Sequence, residues 1–298
     1  MIEISCIIPT YNYAEFLEEA VLSVADQTLP PKEIIIVDDN SNDDTEKIAK
    51  NLTQRFPIIK YIKNEKNLGL VENFNKGVSL AQFEYICILG ADDKLDKTYF
   101  EKANNIFNAN SQTSIVYSDL ILFGPYAKEA YLKYNNLFKD ESQKYLIQFP
   151  EFNTPLFQEL FFYGTNFINT SSIYNKEIFT KLNGYRNLYD QGIPEDYDFF
   201  KRAIENDYKP EHLPEPLLFY RHHSPRQNNV YVSTQAEILF LKQKNQELLD
   251  DIKFLKEQNS NLLKDNLEAK KFIERKEEEI KLLKEKTGKT KSIWKIFK

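Results

Sequence analysis

The sequence predicts an α/β fold: a mostly parallel, doubly wound sheet followed by a long C-terminal coiled-coil helix. Three observations carry this. Short apolar runs alternate with helical stretches from Ile4 to Leu122, the rhythm of a sheet with helices on both faces. The runs are continuously apolar, as strands buried on both sides are. After Val232 the character changes: Gly and Pro vanish until Gly288 and a heptad repeat takes over.

Ile4 to Ile8 is the first strand, closed by Pro9-Thr10-Tyr11-Asn12. Phe16, Leu17, Ala20, Val21 and Val24 then recur at helical spacing. Glu33 to Val37 is the second strand, ending in the polar loop Asp38 to Thr45, which also supplies caps for the next helix. Ile58 to Ile62 is the third. Asn67-Leu68-Gly69 turns into a helix through Asn73, Asn75 and Gly77. Tyr85 to Leu89 is the fourth strand, followed by Gly90-Ala91-Asp92-Asp93 and a helix from about Asp96. Beyond Ser114 the rhythm is irregular. Ser114 to Leu122 reads as a strand, Leu156 to Tyr163 and Lys176 to Leu182 as helical pieces, and Asn183 to Arg186 as a turn. Pro194-Glu195-Asp196 opens a helix to about Asn206, and Leu213 to Tyr220 is the last strand. Tyr126 to Phe152 is rich in Tyr and Phe with weak periodicity; it is either an aromatic flap that stacks on a ligand or a packed irregular segment.

In the C-terminal stretch, position a holds Ile238, Asn245, Ile252, Asn259, Asn266, Ile273 and Ile280, and position d holds Leu241, Leu248, Leu255, Leu262, Ala269, Lys276 and Leu283. Ile at a with Leu at d favours a parallel dimer, and Asn at a fixes its register. The pairs Asp251/Lys256, Asp265/Lys270 and Glu279/Lys284 would then attract across the seam. A homodimer through a rod roughly 70 Å long is expected; a single solvated helix is the alternative, because Ala269, Lys276 and the Asn residues weaken the seam. The tail ends Ile293-Trp294-Lys295-Ile296-Phe297-Lys298, apolar side chains interleaved with Lys, a pattern suited to an anionic membrane surface. A frayed terminus is the alternative. The expected boundaries are 1–232 for the α/β domain, 237–286 for the coiled coil and 287–298 for the basic tail.

Bulk composition narrows the function. The 298 residues are 42% hydrophobic and 14% aromatic, enough for a large core, and the net charge of −6 argues against a general nucleic-acid binder. Cys6 and Cys87 fall in expected buried strands and read as reduced thiols, not a disulfide framework. The start, Met1 to Ile8, is too short and acidic for a signal peptide, and no apolar stretch reaches membrane-spanning length. The expected location is the cytoplasm, with the inner face of the cell membrane as a peripheral site.

Chemistry concentrates at the strand ends. In open α/β sheets, ligands bind outside the carboxyl ends of the strands. Asp92 and Asp93 repel unless a cation sits between them, so a divalent metal is their natural partner. An Asp-rich turn opening a helix would look the same. Glu195 and Asp196 sit behind Pro194, where acids are also favoured simply as first-turn residues. His222 is expected on the surface.

Five motifs in order carry a resemblance. Ile8-Pro9-Thr10-Tyr11-Asn12, Val37 to Thr45, Asn67-Leu68-Gly69, Gly90-Ala91-Asp92-Asp93 and Pro194-Glu195-Asp196, with Tyr220-Arg221-His222-His223 as a late element, resemble the family 2 glycosyltransferases of GT-A (Rossmann-like) fold, of the type that builds bacterial surface glycans. The resemblance covers about residues 2 to 232. It implies a nucleotide-sugar-binding half, 1–118, and an acceptor half, 119–232. Pro9, Thr10 and Tyr11 would border the nucleotide base, Asp39 would hydrogen-bond it, and Asn67 would belong to the same nucleotide site. Asp92 would touch the ribose and, with His223, hold Mn²⁺ or Mg²⁺. Asp93 and Arg221 would lie near the donor sugar. Glu195 and Asp196 would form the catalytic pair, with Asp196 as general base. The implied activity is metal-dependent, inverting transfer of a hexosyl or N-acetylhexosaminyl group from a nucleotide sugar, UDP-linked, to a glycan or lipid-linked glycan. The family's Asp-x-Asp motif has Gly90 at its first position here. That keeps a second reading open: a catalytically weak or inactive GT-A scaffold that recruits partners through its coiled coil. A nucleotidyltransferase would carry a Gly-rich basic loop after the first strand, where this chain has Pro9-Thr10-Tyr11-Asn12-Tyr13.

Overall fold

Each continuous apolar run becomes a strand of one nine-stranded sheet in the computed structural model, which describes residues 1–134, 145–162, 164–223, 250, 253 and 267–293. The chain divides into two units, 1–158 with 166–231, and 159–165 with 232–298. In the first unit, β1 (Ile4–Thr10), β2 (Glu33–Asp38), β3 (Ile59–Lys63) and β4 (Tyr85–Ile88) form the parallel half, separated by α1 (Ala14–Ala25), α2 (Thr45–Arg55) and α3 (Leu70–Leu80). Every residue of β1 and β2 is buried, as the apolar runs require. Register pairs Cys6 with Cys87 across β1 and β4, and both thiols are free and buried. Burial pushes the Cys6 thiol well above its ordinary range.

The other half keeps its two long strands in the expected direction and adds three short antiparallel ones. It contains β5 (Lys94–Leu95), α4 (Tyr99–Ala109), β6 (Thr113–Phe123), α5 (Ala127–Tyr134), β7 (Leu146–Ile147), α6 (Pro155–Phe162), β8 (Ile173–Asn175), α7 (Lys176–Lys181), a 3₁₀ turn (Tyr189–Gln191), α8 (Glu195–Glu205) and β9 (Lys209–Arg221). The order is β3-β2-β1-β4-β8-β6-β9-β5, with β7 also on β6. β8 runs antiparallel to both β4 and β6, and β5 runs antiparallel to β9. The sheet is therefore mixed but mostly parallel: β1, β2, β3, β4, β6 and β9 share one direction, and only the short strands β5, β7 and β8 run against them. The three short strands are too brief to give a sequence period. β9 is longer than expected because it follows β6 in parallel register from Lys209 to Arg221, through bulges around Ser118 and Asp119.

Alternating strand residues serve two layers. Cys6, Ile8, Ile34 and Ile36 join Leu17, Ala20, Val21 and Val24 of α1 in one core. On the opposite layer α3 meets the sheet through Gly77, where an added Cβ would stand 2.5 Å from Ile7 Cγ2 and 3.3 Å from Val37 Cγ2. Ile7 is β-branched and fully buried, so it cannot swing aside. Gly77→Ala is expected to destabilise by about 1–2 kcal/mol, overpacking of about 1–3 kcal/mol partly offset by helix propensity. A lower urea midpoint checks this; an unchanged or higher one contradicts the tight contact.

The second unit contains α9 (Leu267–Ile293). Ile273 and Ile280, both at position a, are buried there, while Phe272 and Leu282 are exposed. The heptads before Leu267, apart from Asp250 and Lys253, and the tail from Trp294 lie outside the described residues. Among the described residues, no helix is long and apolar enough to cross a membrane.

Candidate active site

The parallel half brings the ends of β1, β2 and β3 together. Asp39 N–H donates to Thr10 O (2.9 Å), Asn12 N–H to Ser41 Oγ (2.9 Å) and Asn42 N–H to Asn12 Oδ1 (2.8 Å). Asn12 and Asn40 adopt left-handed φ, 58° and 65°, which Asn tolerates better than most residues. Pro9 and Thr10 are buried at the end of β1, and Tyr11 is exposed beyond them.

Asp39 is buried and fastens the next loop. Oδ1 accepts from Asn64 Nδ2 and from Leu68 N–H, both at 2.7 Å, and Oδ2 accepts from Gly69 N–H at 2.9 Å. Asn67 Oδ1 accepts from the same Gly69 N–H at 3.0 Å. Gly69 has φ 86°, the left-handed conformation that suits glycine. Asn67 is thus seen shaping the turn, and its exposed side chain flanks it. Asn64 links Asp39 to Asn73 Oδ1 (2.9 Å) and accepts from Lys76 Nζ (2.6 Å). Asp38 is a loop former: its carboxylate accepts from Ser41 N–H and from the Tyr61 hydroxyl.

A second group forms where the turn after β4 leads into β5, the strand that pairs with β9. Asp92 and Asp93 are both nearly buried. Asp92 Oδ2 lies 3.1 Å from His223 Nε2. Asp93 Oδ1 accepts from Arg221 N–H (2.8 Å), and Arg221 Nε donates to Asp92 O (2.6 Å). The Arg221 guanidinium also pairs with Glu19 and lies over the rings of Phe16 and Phe123, 4.7 and 4.2 Å from their centroids. It therefore welds β9 to the Asp92–Asp93 turn. The His223 ring stands edge-on to Tyr13 with centroids 5.4 Å apart. Burial and the Asp92 charge push the Asp93 carboxyl well above its usual range. Tyr13 is pushed up to about 12 by burial and by the charges of Asp92 and Asp93.

His222, expected on the surface, is buried. Its N–H donates to Phe123 O (2.8 Å), its carbonyl accepts from Tyr126 N–H (3.0 Å), and its ring stands 5.2 Å from Tyr220. The extended pairing of β9 with β6 places it there. Gly90 also has a reason in the geometry. A Cβ on it would meet Asp93 Oδ2 at 3.0 Å and Asp92 Oδ1 at 3.1 Å, so the two carboxylates occupy the space beside its Cα.

Among the described residues, no group of three or more His, Cys, Asp or Glu stands ready to hold a metal. Asp92 and His223 offer two donors. Two ligands at about 2.1 Å from an octahedral cation lie roughly 3 Å apart, close to the 3.1 Å observed between Oδ2 and Nε2. The pair fits Mg²⁺ or Mn²⁺ as one side of a coordination shell. Mg²⁺ commonly completes its shell with water and substrate phosphates.

The remaining carboxylates open α8. Pro194 precedes Glu195, which accepts from the Tyr189 hydroxyl at Oε2 (2.5 Å). Asp196 accepts from Tyr197 N–H (2.8 Å) and is also hydrogen-bonded by the Asn166 side chain. Burial, and then the Glu195 charge, push Asp196 up to about 8 against these bonds. Burial likewise raises Glu195 against the Tyr189 bond. Behind them Asp198 pairs with Arg186 and with Arg202, and Arg202 also donates to Leu182 O and Gly184 O (both 2.8 Å). Asn75 on α3 exchanges two hydrogen bonds with the Tyr185 backbone, 2.8 and 3.0 Å. These fix the turn that leads into α8. Tyr13, Asn64, Asn166 and Tyr189 were not legible as site residues. Each acts through a partner distant in sequence or carried on an irregular loop.

The sequence profile of Glycosyl transferase family 2 matches residues 5–182. An uncharacterized glycosyltransferase of Methanocaldococcus jannaschii is 33% identical over 225 residues, 73% of this chain and 70% of that protein. S. aureus TarS 1-349 in complex with UDP-GlcNAc superposes with a TM-score of 0.58 at 19% identity, over 83% of this chain and 67% of that one. The mannosyltransferase PcManGT from Pyrobaculum calidifontis, in complex with GDP-Man and Mn²⁺, superposes with a TM-score of 0.52 at 16% identity, over 85% of this chain and 64% of that one. The two structures share the fold.

Proposed function

The chain belongs to glycosyl transferase family 2, and from that premise we propose that it is a metal-dependent, inverting transferase. It takes a hexosyl or N-acetylhexosaminyl group from a nucleotide sugar, UDP-linked, to a glycan or lipid-linked glycan of a bacterial surface polysaccharide. The observation that carries this is Asp92 against His223, 3.1 Å apart, at the carboxyl ends of the strands where such sheets take ligands.

Asp39 faces the base. Its Oδ2 accepts one hydrogen bond and has capacity for another, which the uracil N3–H would fill. Pro9, Thr10, Tyr11 and Asn67 border the same nucleotide. Asp92 and His223 would hold Mn²⁺ or Mg²⁺, and a bound cation there would offset charge on the departing diphosphate. Asp93 and Arg221 lie beside the donor sugar as positioning residues, since their polar groups brace the Asp92 turn. Asp196 takes the proton of the acceptor hydroxyl. A base with an elevated pKa is suited to this at neutral to mildly alkaline pH, and Glu195 supplies the neighbouring charge that helps to raise it. A single displacement from the face opposite the diphosphate inverts the anomeric carbon. A UDP-bound and a GDP-bound neighbour support a nucleotide sugar as donor class. The coiled coil, 237–286, forms the parallel homodimer and the tail, 287–298, meets the inner membrane face.

Release of UDP or GDP from a panel of UDP-hexoses, UDP-N-acetylhexosamines and GDP-mannose, with Mn²⁺ present, tests the assignment. One UDP-sugar is expected to turn over. Turnover of GDP-mannose alone would overturn the UDP reading, and none at all would favour the scaffold.

The elevated Asp196 also predicts a pH profile. kcat/KM should rise with pH and level off above about 8, because only the ionised carboxylate accepts a proton. Glu195→Gln removes the neighbouring charge and should move that rise to lower pH. For stability the sign is opposite to that of a salt-bridged Asp. The folded pKa lies above the ordinary 3.8, so this contribution is present below 3.8 and lost as pH rises through about 8. Asp196→Asn should flatten the loss between those values in pH-dependent melting.

A further inference from the structure

We propose that Tyr189 is the platform on which the acceptor sugar lies, its ring stacked on the C–H face of a pyranose; this rests on the glycosyltransferase reading and names its acceptor subsite. The sequence offered Tyr126 to Phe152 as an aromatic flap or a packed irregular segment. Phe149 and Phe152, in its described part, are half-buried and pack against other rings. Phe149 stands 5.8 Å from Phe167, and Phe152 stands 5.2 Å from Phe157, which also meets Tyr117 and Phe167. These rings meet their neighbours tilted or edge-on, within the packing of the fold.

Tyr189 is different in two respects. It keeps 47% of its surface in solvent, and its hydroxyl is tied to Glu195 Oε2 at 2.5 Å, next in sequence to the proposed base. An exposed tyrosine is usually free to turn. This one is anchored at its far end, so the ring is presented in one orientation. The loop beneath it is closed. Leu188 and Ile193 bridge, Gln191 and Ile193 N–H donate to Leu188 O, and Gly192 N–H donates to Tyr189 O. Gly192 turns the chain at φ 70°, with nothing within 4 Å of an added Cβ. A rigid, amphipathic ring ordered at low entropic cost makes a good contact surface. The apolar face of a pyranose fits it, and Glu195 beside the ring is an acceptor for the sugar's hydroxyls.

Glu195 then holds Tyr189 as well as raising Asp196. Acceptor recognition and base placement share one carboxylate.

Saturation-transfer NMR on the full chain tests this with p-nitrophenyl β-D-glucoside, β-D-galactoside and N-acetyl-β-D-glucosaminide as probes, with UDP binding measured in parallel. Wild type is expected to saturate the ring C–H protons of at least one glycoside. Tyr189→Ala should weaken that binding by about tenfold or more, while UDP binding stays as in wild type. Tyr189→Phe keeps the ring and should retain more of the signal than Tyr189→Ala. Failure of wild type to bind UDP would count against the donor site alone, because the glycoside signals are read independently of it. Equal saturation in wild type and Tyr189→Ala, or no saturation of any glycoside by wild type, would overturn the platform.

Discussion

Asp196→Asn is expected to lower turnover by about 10²–10⁴-fold, the usual contribution of a general base, and to leave UDP affinity unchanged. Asn conserves the size of the side chain and can still hydrogen-bond Tyr197 N–H, which donates at 2.8 Å, so the start of α8 should survive. What it cannot do is accept the acceptor's proton. The Arg186–Asp198–Arg202 brace behind it does not involve residue 196, which makes a folding defect a poor explanation for a loss. Measured by UDP release with the active donor, turnover within a few-fold of wild type would remove Asp196 from the mechanism.

Asp92→Ala carries the other large effect. It deletes one of the two donors proposed for the cation and loosens His223, whose ring is otherwise set by Asp92, Tyr13 and Phe16. Electrostatic stabilisation of a developing charge is worth several kcal/mol, so a loss of about 10³-fold or more in turnover is expected. The substitution also removes the charge that, after burial, pushes the Asp93 carboxyl above its usual range. Adding excess Mn²⁺ should recover little of the rate. Full recovery at high Mn²⁺ would mean that Asp92 contributes affinity for the ion and nothing to its placement.

β1, β2 and β4 were legible because parallel strands inside a sheet, buried on both faces, leave apolar runs, and Ile34 to Val37 is fully buried along its length; β3, at the sheet edge, is partly exposed and reads through its position in the strand–helix rhythm. The cluster at Asp92 was legible for a related reason: a small-residue turn after such a run points side chains out of the sheet edge. β8 was not, since three residues, Ile173–Asn175, show no period, and its insertion between β4 and β6 is what makes the sheet mixed. His222 was misjudged because polarity predicts exposure only where the backbone is exposed, and β9 carries that backbone alongside Phe123. The role of Asp39 in fastening the Asn67–Gly69 turn was not legible. Its three bonds to Asn64, Leu68 and Gly69 are contacts across loops, which a linear pattern does not encode. The same holds for Tyr189, whose ring position depends on a 3₁₀ turn and a left-handed glycine.

The most direct measurement is the thermal shift of the full chain with UDP, with and without Mn²⁺, for wild type and Asp92→Ala. A donor site built on Asp92 predicts a UDP shift that requires Mn²⁺ in wild type and disappears in Asp92→Ala. A folded wild-type chain with no shift for UDP under either condition, or a metal-dependent shift that Asp92→Ala leaves intact, would contradict it.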